Sequence, residues 1–201
     1  MEHQTPPQAY FFGYGSLVNR GTHDYFDARP ARLVGWKRVW RHTSLRPVAY
    51  LTVVPDAESE IAGLMAAVPD GGWTQLDERE RAYDRIDARH QVSHDMPHAP
   101  DVVVYSIPDG KHGKPSRACP VLLSYLDVVV QGYLREFGEA GAQAFFETTD
   151  GWDAPVLNDR AAPVYLRSQM LSAADQTFVD DMLYALKVDV MQDLPDGTWR
   201  D

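Results

Sequence analysis

Tyr10-Phe11-Phe12 is the stretch that most limits what this chain can become. Three consecutive aromatic residues after Ala9 leave neither face of an extended segment for water. The segment therefore reads as a strand buried on both sides. It runs straight into Gly13-Tyr14-Gly15-Ser16-Leu17, where the glycines permit positive φ or close approach to another backbone. Such a strand and turn can present N–H groups to an anion or a developing oxyanion. The same pattern also describes a buried strand that simply ends in a tight turn.

Three known loops fail here. A nucleophile elbow needs a glycine two residues after Ser16, and Val18 stands there. A phosphate loop needs a lysine before its Ser or Thr, and none is present. A dinucleotide fingerprint needs a third glycine where Val18 stands, and an acidic residue roughly 20 residues further on. Asp24 and Asp27 lie too close.

Downstream, Ala31–His42, Val48–Val54 and Ile61–Val68 read as strands, with Pro55-Asp56 ending the second and Pro69-Asp70-Gly71-Gly72 the third. Their short connections suggest antiparallel, meander-like pairing. Two further strands are expected over Ile86–Val92 and Val102–Ile107. From Val121 the character turns helical, over Val121–Phe137 and Glu139–Thr148. Ser172, with Asp175 three residues on, reads as the N-cap of a last helix ending near Lys187. A strand-rich first half and a helical second half indicate α+β. The expected fold is a mixed, largely antiparallel sheet closing into a small β-barrel with helices packed around it. Residues 1–8 are expected to be a loose tail and 9–201 a single domain.

The 201 residues carry a formal net charge of −10 and no basic cluster, which argues against nucleic acid or an anionic membrane as partner. A local pocket can still oppose the global sign. The one cysteine, Cys119, admits no intrachain disulfide and fits a reducing compartment. No signal-like start and no spanning apolar run appear. The expected location is cytoplasmic.

The segment Trp73–Arg85 reads as a helix with an anomaly. Trp73, Leu76 and Tyr83 fall on one stripe, and the missing member of that stripe is Glu80. A carboxylate thus occupies a core-facing position, while Asp77 and Arg81 can pair at i, i+4 nearer solvent. A fully solvated, charge-rich helix is the alternative.

Phe11-Phe12-Gly13-Tyr14-Gly15-Ser16-Leu17 resembles the opening signature of the gamma-glutamylcyclotransferase family. Leu76-Asp77-Glu78-Arg79-Glu80 is similar to that family's Leu-Asp-x-x-Glu segment, and the two occur in the family's order. The resemblance implies that Glu80 is the general acid/base. It implies substrate contacts from Phe12, Gly13, Tyr14, Gly15, Ser16 and Leu17, and from Tyr125 at the start of the following helix. Leu17 stands where the dipeptide-specific mammalian enzymes have Asn, and where the glutathione-specific branch has Leu. The implied reaction cyclises a γ-glutamyl amide or peptide to 5-oxoproline and frees an amine. It needs no cofactor and no metal, and its partner is a small γ-glutamyl substrate. Apolar neighbours such as Trp73 and Tyr83 would raise the pKa of Glu80.

Two other readings compete. His90, His94 and His98 recur every four residues beside Asp95, a pattern that could bind metal, although Pro97 and Pro100 argue against a continuous helix there. A non-catalytic binding protein could use the same pocket. A desolvated carboxylate favours the enzyme, because a mere binder gains nothing from it.

Overall fold

The computed structural model describes residues 9–69 and 72–193. The tail expected over 1–8 and the Asp70-Gly71 part of the turn lie outside the described residues. Strand β1 (Ala9–Gly13) sits inside the sheet, between β3 (Ala49–Ala67) and β6 (Asp101–Ser106). Phe12 is registered with Met65 of antiparallel β3 and with Val104 of parallel β6. With a neighbour on each edge and a core on each face, Phe11 and Phe12 are at most 1% exposed.

Strand β2 (Arg29–His42) runs antiparallel along almost the whole of β3. The two strands expected over 48–54 and 61–68 are therefore halves of one strand. Pro55-Asp56 does interrupt the pairing, which shifts between Val34↔Glu60 and Trp36↔Pro55. Gly35, at φ +81°, absorbs the mismatch on the β2 side, in a region costly for side-chain-bearing residues. Because β2 borders both halves, the chain stays extended through the proline.

The helix expected over 73–85 is shorter. Helix α1 is Trp73–Arg79, and the chain then turns into β4 (Asp84–Asp87), which pairs antiparallel with β6. Strand β5 (Val92–Ser93) joins β2. The expected helix from Val121 begins with a short strand, β7 (Val121–Leu122), beside the start of β3. Helix α2 (Leu123–Glu147) contains a break at Gly138, at φ 69° and ψ −173°, so its two straight parts fall where two helical stretches were read. Then come β8 (Thr149–Asp150), β9 (Val156–Leu157), α3 (Ala173–Ala185) and β10 (Val190–Met191). The Ser172 side chain accepts a hydrogen bond from Asp175 N, as its cap spacing predicts.

The architecture is α+β with a mixed sheet whose long pairings are antiparallel. Parallel pairings join β1 to β6, β2 to β8, β3 to β7, β7 to β9 and β9 to β10. The main path runs β10-β9-β7-β3-β1-β6-β4, and among the described residues its two end strands do not pair, so the sheet is not closed. Helix α2 lies against the sheet and α3 against α2. One buried cation marks that packing. Arg38 is 1% exposed, bonded to Thr149 Oγ1 (3.1 Å), Thr148 Oγ1 (2.8 Å) and Ala62 O (3.2 Å), with its guanidinium beside the rings of Tyr133 and Phe145. No helix among the described residues is long and apolar enough to cross a membrane.

Candidate active site

The chain leaves β1 through a tight turn, Gly15–Val18, closed by Val18 N donating to Gly15 O at 2.9 Å. Close packing explains both glycines. A Cβ at Gly13 would lie 2.6 Å from Leu17 Cβ, and one at Gly15 would lie 2.8 Å from Tyr125 Oη. Neither needs a positive φ; Gly15 sits at φ −117°.

The turn is fastened to the helical half. Asn19, fully buried, donates through Nδ2 to Val128 O (2.9 Å) and Gln131 Oε1 (3.0 Å) of α2. Gly132 allows the approach, since a Cβ there would lie 2.7 Å from Asn19 N. Tyr133 Oη donates to the carbonyls of Tyr14 and Ala62, at 3.0 and 2.8 Å.

The turn, the end of α1 and the first turn of α2 surround one recess. Its inner part is lined by Phe12, Gly13, Tyr14, Gly15, Ser16 and Leu17, with Glu80 and Tyr125 opposite. Its outer part, a cavity open to solvent, shares Ser16, Glu80, Tyr83 and Tyr125 with it. All the residues to which the family resemblance gives a catalytic or substrate-binding role therefore line the recess. Of the turn residues, Gly15 and Ser16 are half-exposed, whereas Phe12, Tyr14 and Leu17 are buried.

Glu80 is the residue that ends α1, at φ −98° and ψ 27°. Its side chain is 17% exposed, with Arg79 Nε 3.2 Å from Oε1. Desolvation pushes its carboxyl above the ordinary glutamate value, and the positive charges of Arg79, Arg167 and Arg46 oppose that. Arg79 is itself held by Thr22 O (3.1 Å) and Ser16 Oγ (3.3 Å), so the loop and the carboxylate share one cation. Tyr83 Oη is committed to Leu51 O at 2.7 Å. Tyr125 is 5% exposed, its ring edge-on to Tyr50, Tyr165 and Trp40.

Two local expectations change. Trp73 lies away from the recess, against the guanidinium of Arg85 at 4.3 Å. Asp77 does not pair with Arg81. It accepts from Tyr105 Oη at 2.5 Å and lies 3.5 Å from Arg85, because β4 folds back along β6 and carries Arg85 with it. Arg81 lines the outer cavity instead. Among the described residues no group of three His, Cys, Asp or Glu could hold a metal ion, so His90, His94 and His98 form no such centre.

Sequence reasoning missed the cavity's cations. Arg41, Arg46 and Arg167 join Arg79 and Arg81 around its wall. They come from different parts of the chain and share no motif. The only signal was the general one that a pocket can oppose the net charge.

A family model described as ChaC-like protein matches residues 9–116. The chain belongs to this ChaC-like family. Its fold is similar to a solved structure titled gamma-glutamyl cyclotransferase, at a TM-score of 0.55 and 14% identity, over 87% of this chain and 99% of that one. It is also similar to the human uncharacterized protein loc79017 (TM-score 0.56, 14% identity, 85% of this chain and 97% of that one). A third likeness is to YkqA from Bacillus subtilis (0.54, 18%, 73% and 57%). No curated protein matches the sequence.

Proposed function

We propose that the protein is a gamma-glutamylcyclotransferase-type enzyme with Glu80 as its proton carrier. The observation that carries this reading is a desolvated carboxylate facing a glycine turn across a recess walled by arginines. Membership of the ChaC-like family and the likeness to a structure titled gamma-glutamyl cyclotransferase support it. The substrate is a small γ-glutamyl amide or peptide. Its α-amine attacks its own γ-carbonyl, so the new C–N bond closes a five-membered ring as the old amide bond breaks. No enzyme nucleophile is needed, and holding the chain in the attacking geometry can be worth ~7–11 kcal/mol in favourable cases.

Glu80 takes the proton lost by the α-ammonium and returns one to the departing nitrogen. A raised pKa suits both halves of that task. Backbone N–H groups of Gly13–Leu17 hold the substrate carboxylate or the developing oxyanion, and Tyr125 closes the floor beside Gly15. The domain works as one unit over residues 9–201.

A panel of γ-glutamyl dipeptides, glutathione and γ-glutamylamines, assayed for 5-oxoproline, tests the reading. Release from at least one, proportional to enzyme, is expected. Binding without release across the panel makes the protein a non-catalytic ligand carrier.

A further inference from the structure

The outer cavity does not end at its arginines. Arg46, Tyr50, Tyr165 and Arg167 belong both to it and to a second groove, which continues over Pro47, Val48, Leu122, Val164 and Leu166. That continuation is apolar, and Val164 and Leu166 are exposed, at 44% and 93%. Arg46 and Arg167 thus stand at a junction, with Glu80 on one side and an apolar groove on the other.

The pairing of the arginines points the same way. The chain has 29 acidic and 19 basic residues, so acidic partners are in excess. Arg20, Arg29, Arg32, Arg89, Arg117 and Arg160 each have a carboxylate within 4 Å. Among the described residues neither Arg46 nor Arg167 has a carboxylate within 4 Å; Arg46 bonds the Tyr50 hydroxyl at 3.2 Å and lies over the Tyr50 ring. Arg41 and Arg81 on the same wall also lack a close carboxylate among the described residues, but Arg46 and Arg167 alone among these border the apolar groove as well. Beyond their longer-range pull on Glu80 they suit an anion that arrives with the ligand.

We propose that the amine half of the substrate carries both a free carboxylate and a bulky apolar side chain. The carboxylate sits between Arg46 and Arg167, and the side chain lies in the groove of Val48, Val164 and Leu166. This deepens the functional reading above and rests on it. It makes γ-glutamyl peptides of large apolar amino acids better substrates than those of glycine, and better than neutral γ-glutamylamines of the same bulk.

Three probes separate the contributions: γ-glutamyl-phenylalanine, γ-glutamyl-glycine and γ-glutamyl-phenethylamine. The first should exceed the second in kcat/KM by about tenfold through apolar contact, and the third by about tenfold through the charged hydrogen bonds. Arg167→Ala should narrow the gap between phenylalanine and phenethylamine, and Val164→Ser the gap between phenylalanine and glycine. Equal kcat/KM for all three overturns the proposal. Calorimetric binding of the same probes to Glu80→Gln protein separates it from the reaction itself. The same rank order of binding without 5-oxoproline from wild type upholds the subsite and removes the cyclotransferase. Absence of rank order in both readouts removes the subsite.

Discussion

Glu80 and Asp127 are two desolvated carboxylates with different surroundings. Asp127, on α2, has a side chain 6% exposed; burial pushes its carboxyl up, and Arg160 opposes this. Arg160 grips both of its oxygens, at 2.7 and 2.8 Å, and reaches Asp180 of α3 with its third nitrogen. Both oxygens of Asp127 are thus taken up by one guanidinium, although Arg160 and Asp180 also border a groove on the far side of the clamp. Glu80 has one partner at 3.2 Å and faces a cavity. Burial of an acid is therefore common to a structural clamp and to the proposed proton carrier. What separates them is whether the remaining lone pairs are already used.

The sharpest way to break this comparison is to remove each charge while keeping shape. Glu80→Gln should lower kcat by at least ~10²-fold, the scale of general acid–base help, with the melting temperature held or raised. Asp127→Asn should do the reverse. Stability should fall by about 1–3 kcal/mol as the grip on Arg160 weakens, and the folded protein should keep its kcat. A Glu80→Gln protein with normal turnover, or an Asp127→Asn protein that is stable but inactive, exchanges the two assignments.

Gly15→Val comes next. The new side chain meets Tyr125 Oη, and the Tyr125 ring is pinned by three aromatic neighbours. Displacement of about 1 Å can cost ~10²-fold in rate, so kcat/KM should drop by that order. Unchanged kinetics would place the substrate elsewhere.

Burial pushes both carboxyls up, so it is activity, not stability alone, that should tell them apart as pH changes. Glu80 has a folded-state pKa raised above its unfolded value. Its protonated form is favoured by folding, so this contribution is fully present below the unfolded pKa and is lost as pH rises through the folded one. Stability of wild type relative to Glu80→Gln should decline over that interval. Activity should rise over the same interval, because the proposed proton transfer starts from the base form. Denaturant melts and kcat/KM profiles on both proteins check the opposed slopes; parallel slopes would detach catalysis from Glu80.

The smallest effect is expected from Tyr125→Phe, a change of a few-fold in KM or kcat with little change in melting temperature. Its ring does the packing, and only its hydroxyl reaches toward Gly15. A large stability loss with normal kinetics would make it a packing residue alone.

The strand and turn around Gly13 were legible in the sequence because aromatic bulk and glycine act locally. The end of α1 was not. Helical periodicity carried the reading through Tyr83, whereas pairing of Asp84–Asp87 with β6 pulls the chain out of the helix at Glu80. Long-range pairing overrode local preference there. The same limit hid Arg46 and Arg167, which lie 121 positions apart and meet only through the fold. Arg38 was equally hidden, since a strand pattern does not disclose an arginine whose partners are threonines past the end of α2.

The fastening of the turn to α2 has a consequence for how the molecule comes into being. Asn19 leaves the growing chain 109 positions before Val128, the residue whose carbonyl it holds. Contacts so distant in sequence close late, after the intervening segment has lost its freedom. The first strand and the local bonds of the glycine turn can form early, yet the turn is anchored only when the first half of α2 docks. The recess, built from the turn at one end of the chain and α2 beyond its middle, is thus complete only in the finished molecule.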